Sequence, residues 1–287
     1  MNYPTIIENH FCNICTGDCV VCSKAHGGWN PWTMTREVWE ATLADIEASG
    51  QSPVMQLGGD GDALLHNEFL PWVTELRDRL PKCHRCLYTN AYSLDGDTAR
   101  RIEGGRLLHE VQIRIDSLAP ETYEQSTALP LDVVRANIER FARINKHARL
   151  CIIYFPLYLY RQAVQRILGK EPTYAGRVEA ELRDEWADVR AWADNIGVES
   201  RVTGLSLWAE RTDCRWSDMP CPRLPENKPG DMRRQLFVYP SGNLGICGYD
   251  DQQEHLLIGN ILKDRIADVW FGDRMNQQIE RVRRKTP

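Results

Sequence analysis

The chain has 287 residues, 43% of them hydrophobic and 26% charged, with 40 acidic against 35 basic side chains for a net charge of −5. That balance describes a globular protein with a substantial core and argues against a nucleic-acid grip built on a basic surface. No apolar run reaches membrane-spanning length and no secretory leader is read at the start, so ten cysteines point to a reducing compartment, the cytoplasm, with thiols reduced or metal-bound.

In chain order, Thr5 to Phe11 reads as a first strand, and Met34 to Ala48 as a helix with Val38, Leu43 and Ile46 on one face and Thr33 or Thr35 as cap. Pro53 to Leu57 is a second strand, Glu68 to Leu80 a helix and Leu87 to Thr89 a third strand. Val111 to Asp116 alternates apolar and polar residues as a fourth strand does. Leu131 to Ile144 is helical, Leu150 to Phe155 is a fifth strand, Arg177 to Asn195 reads as a long charged helix, and Val198 to Leu207 as a sixth strand. Alternating strands and helices imply βαβ units and a parallel sheet, here an α/β partial (β/α)6 TIM-like barrel over residues 1–207. Residues 208–287 read as a small appendage: a β-hairpin from Leu236 to Cys247 that turns at Ser241-Gly242-Asn243, then a last helix from Asp264 to Val282.

The stretch that bears the chemistry is Cys15-Thr16-Gly17-Asp18-Cys19-Val20-Val21-Cys22. Three thiolates from one loop can hold three corners of a [4Fe–4S] cubane and leave the fourth iron without a protein ligand. By spacing alone, Cys12-x-x-Cys15 with Cys19-x-x-Cys22 would also supply a zinc knuckle. After strand two comes Gly58-Gly59-Asp60-Gly61-Asp62, where glycines let backbone approach a ligand and a carboxylate can bind an ammonium, or where the chain simply turns tightly. Tyr88-Thr89-Asn90-Ala91 closes strand three. Arg114-Ile115-Asp116-Ser117 closes strand four, with Arg114 able to pair with a neighbouring carboxylate and Asp116 able to cap a helix. Cys83, Cys86 and Cys151 read as buried thiols, and His10, His26 and His109 as structural.

Together these segments resemble the radical S-adenosylmethionine (SAM) superfamily. The resemblance implies a [4Fe–4S] cluster on Cys15, Cys19 and Cys22, whose open iron chelates SAM and passes it an electron from an external donor of flavodoxin or ferredoxin type. Gly59, Asp60, Gly61 and Asp62 match the loop that holds the methionyl amine, with Asp62 where the family has glutamate and Ala63 where it has proline. Asn90 matches the stretch near the ribose and methionine, and Arg114 and Asp116 match polar positions against the cofactor. Val21 stands where many members carry an aromatic residue beside the adenine.

The C-terminal part resembles the twitch or SPASM appendage, in which Cys221 and Cys247, the latter in Gly242-x-x-x-x-Cys247, would ligate a second [4Fe–4S] cluster, joined by Cys214. With no cysteine after Cys247, that ligand set is one short. If no iron holds Cys247, its thiol can return a hydrogen atom to a carbon radical, because an S–H bond is weaker than a sugar C–H bond. The chain is similar in this layout to radical SAM epimerases of aminoglycosides, which implies Cys247 as hydrogen donor and a polycationic sugar as substrate; Asp250 and Asp251 could pair with its ammonium groups or form a solvated acidic surface, and Tyr249 could stack on a sugar face or fill the small domain's core. A second enzyme reading is a twitch-type dehydrogenase of an aminocyclitol or amino sugar, and a third is a peptide-modifying enzyme.

Overall fold

A computed structural model describes residues 3–22, 30–170, 180–202, 233–248 and 256–285. The chain runs β1 (Ile6–Asn9), α1 (Arg36–Ser49), β2 (Val54–Leu57), α2 (Phe69–Arg79), β3 (Arg85–Thr89), α3 (Gly96–Gly104), β4 (Glu110–Ile115), α4 (Pro120–Thr127), α5 (Leu131–Ile144) and β5 (Arg149–Tyr154). It continues through α6 (Arg161–Leu168), α7 (Trp186–Asn195), β6 (Glu199–Val202), β7 (Gln235–Val238), β8 (Asn243–Gly245), β9 (Leu257–Asn260), α8 (Ile266–Val269) and α9 (Asp273–Lys285). Two compact units result: Met1–Ile14, Trp29–Leu87 and Cys214–Pro287 form the first, Cys15–Gly28 and Tyr88–Asp213 the second.

In the first unit the strand order is β3-β2-β1-β7-β8-β9. β1 has a parallel neighbour on each side, with Ile6 opposite both Val54 of β2 and Gln235 of β7. A strand paired on both edges and covered on both faces must be buried, and Ile7 and Asn9 have no exposed surface. The antiparallel hairpin β7–β8 pairs Val238 with Leu244 and turns through Gly242 at φ 82°, a conformation that suits glycine. α1 starts at Thr35, whose hydroxyl accepts from the Val38 amide, and stops at Gly50 with φ 65°. Its buried face carries Trp39, stacked on Trp72 of α2 at 5.5 Å and tilted against Phe11 at 5.3 Å.

In the second unit the order is β6-β5-β4, all parallel. β4 buries Val111, Ile113 and Ile115 in strict alternation, while β5 is buried on both faces through Cys151 and Ile152. α5 lays Leu131, Val134, Ile138 and Phe141 against the core at helical spacing. The protein is thus mixed α/β with open parallel sheet, a partial TIM-like barrel with a C-terminal β-hairpin and helix appendage. Among the described residues no helix is long and apolar enough to cross a membrane.

Two expected helices differ. The long helix from Arg177 begins only at Trp186, because Asp184 accepts from the Trp186 amide at 3.0 Å and the Glu185 carboxylate is drawn away to the Ser117 hydroxyl and the Leu118 amide, both at 2.7 Å. Residues 171–179 lie outside the described set. The last helix is broken into α8 and α9 at Phe271, whose φ is 62°, and at Gly272, where a Cβ would stand 3.2 Å from the Asp268 carbonyl. The short helices α3, α4 and α6 escape apolar periodicity. α3 depends instead on the Asp95 carboxylate, which accepts from the Asp97 and Thr98 amides.

Trp39→Ala should lower the unfolding free energy by about 3–5 kcal/mol, as removal of a fully buried aromatic does. Denaturant titration of the purified protein measures it, and a cost under 1 kcal/mol would mean that the stacked tryptophans are not a core.

Candidate active site

The cysteine loop belongs to the second unit. Its backbone is pinned on the last turn of α4, where helix carbonyls lack intrahelical donors: Asp18 donates to the Thr127 carbonyl and Val20 to that of Ser126, both at 2.8 Å. Val20 and Val21 turn inward onto Phe155, Leu157, Tyr160 and Val164, so Val21 is core here. Cys15, Cys19 and Cys22 remain partly exposed. The Asn90 amide donates to the Cys15 sulfur at 3.4 Å and to the Thr16 hydroxyl at 3.3 Å, which places the end of β3 against the cysteine loop.

Arg114 at the end of β4 grips Asp116 with two hydrogen bonds, Nε to Oδ1 at 2.5 Å and Nη2 to Oδ2 at 2.7 Å, and lies 3.9 Å over the Phe155 ring. Asp116 therefore pairs with Arg114, and Glu185 caps the turn that follows. Burial pushes the Cys19 thiol up to about 12; Arg114 opposes this, and Asp116, Cys22 and Cys15 add to it. A cysteine becomes a metal ligand as its thiolate, and a bound cationic metal offsets the cost of ionising a buried thiol such as Cys19. The residues present fit a [4Fe–4S] cluster on Cys15, Cys19 and Cys22. Among the described residues no three His, Cys, Asp or Glu side chains gather around one metal ion. Cys12 lies buried beside its bridge to Thr33, with its thiol donating to the carbonyls of Asp62 at 3.4 Å and Ile14 at 3.5 Å.

The glycine loop belongs to the first unit. Gly58 and Gly59 hold φ of 145° and 147°, values closed to other residues. A Cβ on Gly59 would lie 2.5 Å from the His10 ring, and one on Gly61 would fall within 2.6 Å of the Cys12 carbonyl and closer still to that of Ile14. These glycines admit a protein ring and a protein backbone. The Asp62 carboxylate accepts from the Leu64 amide at 3.1 Å and caps the short turn at Ala63–Leu65. The Asp60 carboxylate takes His10 Nδ1 at 2.9 Å, while His10 Nε2 meets Glu8 at 2.9 Å. An imidazole with a carboxylate oxygen on each nitrogen carries both protons. Burial alone would lower its pKa, but the charges and hydrogen bonds of Asp60 and Glu8 hold it up at about 10.

His10, assigned a structural role from the sequence, is thus the centre of a buried ion triad. A signal was present, since Glu8 and His10 stand two apart on an extended segment and share a face. Cys247 follows β8 and is 6% exposed. Its carbonyl accepts from the Tyr239 hydroxyl at 2.9 Å. Cys214, Cys221, Tyr249, Asp250 and Asp251 lie outside the described residues.

An α/β fold with open parallel sheet and a three-cysteine loop that fits an open cubane suit an iron–sulfur enzyme. The radical SAM superfamily model matches residues 9–178, more than half the chain, and the protein belongs to that superfamily. The family's cofactors are a [4Fe–4S] cluster and SAM. A second model, SPASM, described as an iron-sulfur cluster-binding domain, matches residues 230–287 and implies a further cluster. Cys247 is the one cysteine in that span. Similar solved structures are anSMEcpe with bound AdoMet (14% identity, TM-score 0.62, 96% of this chain and 83% of that one) and Streptococcus suis SuiB bound to S-adenosylmethionine (12%, 0.63, 97% and 68%). BtrN in an open conformation is also similar (14%, 0.50, 97% and 85%). At such identities the likeness is one of fold. No curated protein matches the chain.

Two outcomes test this geometry. Gly61→Ala should displace the Cys12–Ile14 backbone just ahead of Cys15, costing about 1–3 kcal/mol and lowering iron content after anaerobic reconstitution; full loading at unchanged stability would refute the close packing. The raised His10 pKa contributes stability that is complete below pH about 6.5 and lost as pH climbs through about 10. The gap in melting temperature between wild type and His10→Gln should therefore narrow from pH 6 to pH 10.5, and a constant gap would show that the ring is not charged.

Proposed function

We propose that the protein is a radical SAM epimerase that inverts one carbinol carbon of an aminoglycoside antibiotic, a reaction of the kind that turns neomycin C into neomycin B at C5‴. The resemblance in layout to neomycin C epimerase suggests that substrate. The observation that carries the reading is Cys247: a buried residue and the one cysteine of a span matched to a cluster-binding domain. One thiolate cannot by itself hold a cubane.

In this reading Cys15, Cys19 and Cys22 hold the cluster. Asn90 hydrogen-bonds the Cys15 sulfur, which bears on the cluster's potential. The loop from Gly59 to Asp62 is assigned to SAM through its backbone, since His10 and the Cys12–Ile14 segment take the space beside its glycines, and the Arg114–Asp116 pair is assigned to SAM with it. When bound, the cluster and SAM supply one-electron cleavage of the sulfonium and with it hydrogen-atom abstraction from the substrate. Cys247 then delivers the hydrogen atom of its S–H bond to the opposite face of the substrate carbon, which inverts the centre. The sulfur is left one electron and one proton short. An external reductant of flavodoxin or ferredoxin type supplies the electron and solvent the proton. Tyr249, Asp250 and Asp251 are assigned to the substrate because desolvated ammonium groups need paired carboxylates. We treat residues 1–207 as the catalytic domain, residues 208–287 as the substrate-side appendage, and the cytoplasm as the setting.

The cluster-binding description of residues 230–287 favours a second reading, in which Cys247, Cys214 and Cys221 ligate an auxiliary cluster of an aminocyclitol dehydrogenase. Product and iron analysis of Cys247→Ala separate the two. As an epimerase, the variant keeps SAM cleavage and iron content but forms no inverted product, and wild type incorporates solvent deuterium at the inverted carbon. A ketone product, with about four irons lost in the variant, would replace epimerisation with dehydrogenation.

A further inference from the structure

His10 is only 1% exposed and touches the first unit on every side. Its amide donates to the Val238 carbonyl at 3.0 Å. Its ring fills the space that the absent side chain of Gly59 leaves. One nitrogen is bonded to Asp60 of the glycine loop and the other to Glu8, whose second oxygen accepts from Gln235 of β7 at 2.6 Å. The ring edge also stands against Tyr239 at 5.0 Å and 82°, and against Phe237 at 6.0 Å and 84°. Tyr239 carries this contact onward: its ring packs where a Cβ on Gly245 would be, 2.7 Å from Cε2, and its hydroxyl donates to the Cys247 carbonyl.

The geometry points to His10 as a positioning residue with two outputs: through Asp60 it sets the glycine loop assigned to the SAM amine, and through Tyr239 it sets the backbone of Cys247. The inference rests on the proposed role of Cys247 for its catalytic meaning. The connection is physical because both outputs meet one rigid ring. Removing the imidazolium takes from Asp60 the 2.9 Å hydrogen bond that ties the loop to β1, and from two buried carboxylates the cation they share, so the loop loses that anchor. Displacements of about 1 Å at reacting groups are enough to matter for hydrogen-atom transfer.

The test uses cluster-reconstituted full-length protein and two readouts that need no epimerised product: the SAM dissociation constant, and the alkylation rate of Cys247 mapped by mass spectrometry. His10→Gln should weaken SAM about tenfold and speed Cys247 alkylation about tenfold. Glu8→Gln, which keeps shape and removes one charge, should move both in the same direction by less. Tyr239→Phe should speed alkylation while SAM binds with the wild-type constant. If His10→Gln does not fold, Glu8→Gln and Tyr239→Phe decide. A folded His10→Gln, or in its place Glu8→Gln, with a lowered melting temperature but wild-type SAM affinity and wild-type alkylation would overturn the proposal and make the triad purely structural. Failure to form an inverted product, with both readouts shifted as expected, would sink the epimerase reading and leave the positioning role standing.

Discussion

Everything in the first unit depends on how the carboxyl end of β1 is tied. The Asn9 carbonyl accepts from Gly58 at the end of β2, and the next amide, that of His10, donates to Val238 at the end of β7. Two neighbouring strands are thereby held in one register against the same peptide. Strand ends fixed to a common point launch their loops from a common point. That is why a glycine loop after β2, a histidine after β1 and a tyrosine after β7 meet, although about 50 and about 230 residues of chain separate them.

The buried charges follow from that convergence. A carboxylate removed from water is costly unless a cation and further hydrogen bonds meet it. Glu8 and Asp60 share one imidazolium, and Gln235 completes Glu8. The cysteine loop solves its own version of the problem differently. Its apolar pair is committed to the core, its amides are spent on carbonyls of α4, and its sulfurs stay where metal can reach them. Rigidity comes from backbone and reactivity from what backbone leaves over.

Much of this was legible in the chain. Period-two alternation located β4, the apolar runs located β2 and β5, and α5 spans Leu131 to Ile144 as its spacing required. The thiol spacing singled out the loop proposed to hold the cluster, because that motif is local. What could not be read was anything decided by a partner distant in sequence. His10 looks idle until Asp60 stands beside it. The glycines at 59 and 61 suggest room for a ligand, whereas a ring and two carbonyls occupy that room. Helix signals between Arg183 and Glu185 were overridden when Ser117 and Leu118, some 68 residues away, claimed the Glu185 carboxylate. Local propensity loses wherever a buried polar group must be satisfied.

The glycines that flank the hairpin thiol have a wider consequence. At Gly248 a Cβ would lie 2.5 Å from the Phe237 ring, and at Gly245 it would collide with Tyr239. Each aromatic ring therefore reserves a vacancy in the strand opposite. A lineage that gains bulk at 245 has to give way at 239, and one that gains it at 248 has to give way at 237, so these positions are free to drift only as two pairs. Sequence comparison across descendants of this chain would register that as joint change around a cysteine whose neighbours cannot be altered one at a time.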